Sequence, residues 1–98
     1  MAATLHNLAA VLAALGQVEE AENHYRRALA IKEKLLGAGN PDVALTRNNL
    51  GKLLTDMGRP TEALPLLEAA VAALDSRLPP GHPHLSAARG NLRNARRS

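Results

Sequence analysis

The sequence predicts an all-α protein, an antiparallel helix-pair solenoid of five helices made from two and a half copies of one unit. Three observations point there. Set against itself at an offset of 42 residues, the chain repeats Thr4/Thr46, Leu12/Leu54, Gly16/Gly58, Ala21/Ala63, Ala28/Ala70, Gly39/Gly81 and Pro41/Pro83. Two columns, Asn7/Asn49/Asn91 and Leu8/Leu50/Leu92, recur in all three copies. A fixed period of this length marks stacked repeats. Apolar residues fall three and four apart between Gly and Pro breaks, as amphipathic helices require. Nowhere do Val, Ile, Thr or aromatics alternate as in a strand.

The first helix carries Leu5, Leu8, Ala9, Leu12 and Leu15 at helical spacing and ends at Gly16, placed for a left-handed cap. The second runs from Val18 to about Leu36 with Ala21, Tyr25, Ala28 and Leu29 inward. Its acids Glu19, Glu20 and Glu22 come early and its bases Arg26, Arg27, Lys32 and Lys34 late, in keeping with the helix dipole. "GAGNP" breaks it. The third and fourth helices are expected over Pro41–Met57 and from Pro60 to about Leu78, the latter with a stripe of Ala63, Leu67, Ala70, Val71, Leu74 and Leu78. "PPGHP" ends that repeat, and a fifth helix is expected over about 83–96. Pro41, Pro60 and Pro83 stand at helix starts, where a missing N–H is harmless. Pro65 falls inside the fourth helix, where a lost backbone bond should kink the axis. The whole chain reads as one repeat domain: repeat one over about 2–39, repeat two over about 41–80, then a capping helix.

Composition narrows the function classes. The chain has no Cys, Trp or Phe and a single Tyr, so disulfides, thiolate metal sites and thiol catalysis are excluded. No apolar run approaches the ~20 residues of a membrane helix, and "MAATLHNLAA" lacks the basic start of a secretory signal. A cytoplasmic protein is expected. The net charge of +3 resides at one end: Arg89, Arg93, Arg96 and Arg97 follow the last acid. No cofactor is expected. "HPH" at His82 and His84 lacks further ligands at zinc-like spacing. Ser76, Ser86 and Ser98 have no matching His and acid, and "GAGNP" is not a phosphate loop. The chain is expected not to be an enzyme.

From Thr4 to Ala44 the sequence resembles "TLxNLAxxLxxxGxxEEAExxYRRALAIxEKxLGxxxPDVA", the pattern of the 42-residue, kinesin-light-chain-like variety of tetratricopeptide repeat. The small residues Ala9/Gly51, Ala21/Ala63 and Ala28/Ala70 match the family's small columns, and that variety often has a proline where Pro65 stands. Arg47 and Arg89 depart from it, taking the Leu5 column, where Trp or Leu is common. The resemblance implies a right-handed solenoid whose first helices line a concave groove. It implies a non-enzymatic protein-interaction module holding a peptide or partner segment there.

Five columns would then face the groove: Ala3/Leu45/Ala87, His6/Asn48/Gly90, Ala10/Lys52/Asn94, Ala13/Thr55/Arg97 and Ala14/Asp56/Ser98. The expected peptide-binding residues are His6, Asn48, Lys52, Thr55, Asn94 and Arg97. Asn pairs with a peptide backbone through donor and acceptor alike, and Lys and Arg favour an acidic partner. Asn7, Asn49 and Asn91 are expected to bond across helices. Arg93 and Arg96 stand where Ala9/Gly51 and Leu12/Leu54 meet a second helix, so the last helix should cap the stack with a polar face. Two alternatives stand beside this. One is a nucleic-acid-binding appendage through the arginine-rich helix, disfavoured because the chain has one aromatic residue for stacking. The other is self-association, or continuation of a longer stack, through the uncharged N-terminal helix.

Overall fold

The computed structural model describes residues 2–98, with side chains described from Leu5 onward. Its five helices are α1 (Ala2–Ala14), α2 (Val18–Leu36), α3 (Pro41–Asp56), α4 (Pro60–Arg77) and α5 (Pro83–Arg97). No strand occurs among the described residues. The chain has the all-α helical-repeat fold its periodicity predicts.

The repeat extends to the ends of the helices. Gly16 and Gly58 have φ of 84° and 79°, and no other residue type takes positive φ among the described residues. At each, the following residue reaches back five positions. Gln17 N donates to Leu12 O at 2.8 Å, and Arg59 N donates to Leu54 O at 2.8 Å. These bonds satisfy carbonyls that the helix end leaves open. At the helix starts, Asn40 Oδ1 accepts from Asp42 N at 2.8 Å and His82 Nδ1 accepts from His84 N at 3.1 Å. His82 is therefore the N-cap of α5, as Asn40 is of α3. α4 continues as one helix through Pro65, whose ring lies on the exposed side.

Small residues set the packing distance within each pair. Ala9, Ala21, Ala28, Ala63 and Ala70 are fully buried, as are Leu50, Leu54, Leu67 and Leu74. Gly51 is the tightest point: a Cβ added there would lie 2.6 Å from Leu67 Cγ. Leu92 and Ala95 of α5 join the same core as Leu50 and Leu54, while Leu85 and Ala88 close a second cluster with Ala44, Ala70 and Leu74. Arg93 and Arg96 are exposed on the outer side of α5.

The departure at Arg47 and Arg89 has a physical reason. Arg47 reaches Glu33 at 3.4 Å and donates to Ala38 O at 3.0 Å; Arg89 reaches Asp75 at 2.8 Å. Glu33 and Asp75 are themselves 42 residues apart, so one ion pair recurs at both repeat junctions. Arg59 bridges the second helices, donating to Glu22 at 2.6 Å and to Glu62 at 2.6 Å. Its hydrogen bonds hold both carboxyls below the ordinary carboxylate range.

Candidate peptide-binding cleft

The first helices α1, α3 and α5 stand side by side, and the two gaps between them differ. α3 and α5 lie close together. α1 and α3 meet only sparsely and flank an open cleft of about 500 Å³. Ala10, Ala13 and Ala14 of α1 form one wall, and Asn49, Lys52, Leu53 and Asp56 of α3 the other. Val18 and Tyr25 of α2 close the floor. Along the cleft, α1 offers only alanine side chains. Tyr25, at the base, is buried at 4% exposure, and that burial raises its phenol pKa.

One edge of the cleft is charged. Lys52 Nζ donates to Asp56 Oδ2 at 3.1 Å, with both side chains largely in water. An i,i+4 pair this exposed is weak, so each partner is free to exchange it for another. A bound segment would therefore meet an apolar floor, an exchangeable charge of each sign and the Asn49 amide.

At the other end the gap is pinned. His6 Nε2 accepts from Asn49 Nδ2 at 2.9 Å, and His6 Nδ1 bonds Thr46 Oγ1 at 2.8 Å. At the next junction Asn91 Nδ2 donates to Asn48 Oδ1 at 2.9 Å. The column of His6 and Asn48 thus bonds the Asn column of the following copy, 43 residues on, at both junctions. The expectation that Asn49 and Asn91 bond across helices holds. His6 and Tyr25 also form a T-shaped ring pair, at 5.5 Å between centroids and 87° between planes. Burial, then the nearby Lys32 charge, lower its pKa against a smaller opposing effect of Asp42.

The six residues expected in the groove therefore separate. Lys52 lines the cleft. His6 is half-buried in the pin. Asn48 is only 6% exposed and is held by Asn91, so it stands between helices and not open in the groove. Thr55 turns its hydroxyl back to Gly51 O at 2.9 Å. Asn94 and Arg97 are exposed on α5, outside the cleft. Ala3, of the first groove column, lies outside the residues whose side chains are described. Column reasoning missed the α2 contribution of Val18 and Tyr25, although the lone aromatic was a signal for the latter. Of the arginines on α5, Arg89 pairs with Asp75 and Arg96 approaches Glu68 at 4.0 Å.

Residues 1–76 match the tetratricopeptide-repeat family. The chain belongs to this family. Tetratricopeptide repeats form protein-interaction modules and are generally non-catalytic scaffolds. Among solved structures, the repeats are similar to a Podosopora anserina protein described as a putative kinesin light chain with nearly identical TPR-like repeats. The identity is 31% and the TM-score 0.75, with 98% of this chain and 46% of that chain covered. A variant of the same protein matches at 31% identity and a TM-score of 0.77, covering 98% and 45%. The chain therefore spans somewhat under half the length of the solved proteins it matches. No curated protein matches it. No helix among the described residues is long and apolar enough to cross a membrane.

Proposed function

We propose that this tetratricopeptide-repeat chain is a non-enzymatic module that holds a peptide segment of a partner protein in the α1–α3 cleft. The observation that carries this reading is the cleft itself, about 500 Å³ with an alanine wall, a tyrosine floor and one exposed ion pair. An aliphatic side chain of the peptide fills the apolar end. Burial of each such CH2 group contributes about 0.8 kcal/mol. An acidic group of the peptide takes Lys52 from Asp56, a charge-assisted hydrogen bond that also fixes the direction of the chain. Arg97 and Asn94, further along α5, extend the polar track.

Selection from a displayed peptide library, followed by 15N chemical-shift mapping of the best binder, tests this. Perturbations should centre on Ala10, Ala13, Asn49, Lys52 and Asp56. Perturbations confined to the outer faces of α2 and α4, or the absence of any enriched peptide, would overturn it.

A second reading is favoured by one observation. Leu8, Val11 and Leu15, at the N-terminal face of the stack, are 43%, 55% and 68% exposed, whereas Leu50 and Leu53, the second-copy counterparts of Leu8 and Val11, are 0% and 5% exposed. A contiguous apolar helix face is an association surface, and between copies of this chain a two-fold arrangement lets one patch serve both. Sedimentation of the wild type should show concentration-dependent association that Val11→Glu and Leu15→Glu abolish. A wild type monomeric at high concentration, with no gain in solubility from either variant, removes this reading.

A further inference from the structure

We propose that the α1–α3 joint is a pH-sensitive hinge pinned by the neutral imidazole of His6, so that protonating this ring releases α1 from α3 and resets the cleft. The proposal deepens the groove-binding reading, on which its consequence for a bound peptide rests; the opening of the joint does not depend on that reading.

The hydrogen bonds around His6 accept one protonation state. Asn49 Nδ2 is a donor, so Nε2 must be the unprotonated nitrogen that receives it. Nδ1 then carries the proton and donates to Thr46 Oγ1. That oxygen is fully used. It donates to Asp42 O at 3.2 Å and also accepts from Lys32 Nζ at 3.2 Å. One donor and two acceptor sites are all a hydroxyl has. Thr46 is completely buried, which keeps water from substituting for any partner.

A second proton on His6 enters at Nε2, and the ring then confronts the Asn49 amide donor to donor. Rotating that amide would recover a bond, but it would leave a second positive charge beside Lys32. The groups facing the ring from α2 are Tyr25 and Lys32; those from α3 are Asp42, Thr46 and Asn49. Asp42 is the one acid among them, and α1 itself carries no charged side chain. Tyr25 stands perpendicular to the ring and brings no anionic charge to balance a second proton.

The second junction shows what a non-titrating pin looks like. There Asn48 occupies the column of His6 and bonds Asn91 at 2.9 Å, the same length as the His6–Asn49 bond. The fold therefore accommodates Asn in this role, and histidine in the first copy adds a proton-sensitive element that the second lacks. α1 rests firmly on α2 but meets α3 only sparsely, so loss of this pin changes the width of the cleft and not the helix pair.

The sign follows from the lowered pKa. A histidine held neutral in the closed joint contributes its full stabilisation above the ordinary histidine value near 6.5. The contribution is lost as pH falls through that value towards the lowered one. Each pH unit separating the two values makes opening about tenfold easier at low pH.

The chain has no cysteine, so Ala10→Cys with Lys52→Cys places two spin labels across the cleft. The inter-label distance should be narrow at about pH 7.5 and should lengthen or broaden by about pH 5, with a midpoint below the ordinary histidine value of 6.5. With His6→Asn added, the distance should stay at its neutral-pH value throughout. Imidazole 15N shifts at neutral pH should show the Nδ1–H tautomer for His6. A distance independent of pH, an equal response in the His6→Asn protein, or an Nε2–H tautomer would each overturn the proposal. No peptide enters this experiment, so its failure leaves groove binding untouched, and failed peptide capture at neutral pH leaves the hinge intact.

Discussion

Replacing Gly51 with alanine sets two effects of similar size against each other. Inside an exposed helix, Gly→Ala stabilises by about 0.8–1.0 kcal/mol. At Gly51 the new methyl would sit 2.6 Å from Leu67 Cγ and 2.7 Å from its Cδ2. Cγ is the branch point of the side chain, not a flexible tip, and Leu67 is fully buried. Forcing an extra carbon into such a site typically costs about 1–3 kcal/mol. The net expectation is a loss of up to about 2 kcal/mol, with a drop of roughly 4–8 °C in Tm for each kcal/mol in a domain of this size. Leu67→Ala alone should cost about 2–5 kcal/mol. Combined, the two changes should cost clearly less than their sum, because the methyl added at position 51 enters the space that the Leu67 side chain vacates. Thermal and urea unfolding of the four proteins provide the cycle. If Gly51→Ala gains its full helix-propensity benefit, or the double variant is strictly additive, the close packing of α3 on α4 is wrong.

Three further outcomes follow from other contacts. Pro65→Ala should raise Tm, since an interior proline costs a helix about 3 kcal/mol and its exposed ring returns little; an unchanged Tm would mean that α4 depends on the proline geometry. Arg59→Ala should lower Tm at about pH 7, and the deficit should shrink at about pH 3: Glu22 and Glu62 have lowered pKa values in the fold, so Arg59's contribution is complete above the ordinary carboxylate range and lost as pH falls through the lowered values. An equal deficit at both pH values would contradict that. Thr46→Val should cost about 1–3 kcal/mol at neutral pH by leaving the His6 Nδ1–H without its acceptor, and chemical unfolding measures it.

Much of the architecture is legible in the sequence because the repeat is written at every level. The same offset of 42 relates the left-handed glycines Gly16 and Gly58, the capping residues Asn40 and His82, and the acids Glu33 and Asp75 that receive Arg47 and Arg89. These are local or periodic features, and a self-comparison finds them. The candidate site is less legible. Asn48 and Lys52 both read as groove residues, but only Lys52 lines the cleft. The difference lies in where the next copy's asparagine falls: Asn91 takes Asn48 out of the groove, just as Asn49 engages His6. That pairing depends on how one copy packs against the next, which no spacing within one copy encodes. α3 and α5 lie close, whereas the α1–α3 gap holds the cleft. The floor escaped a reading based on first helices alone, because Tyr25 and Val18 belong to the second.

The most direct test of peptide capture in the α1–α3 cleft is a calorimetric affinity for one library-selected peptide, measured against three proteins at neutral pH. These are the wild type, Ala14→Trp, which fills the cleft from its alanine wall, and Ala30→Trp, which adds the same bulk to an exposed position on α2 outside the cleft lining. Binding in the cleft predicts that Ala14→Trp weakens affinity by at least about tenfold, roughly 1.4 kcal/mol, while Ala30→Trp leaves it unchanged. Undiminished binding to Ala14→Trp, or a loss confined to Ala30→Trp, would place the partner elsewhere on the molecule and contradict the account.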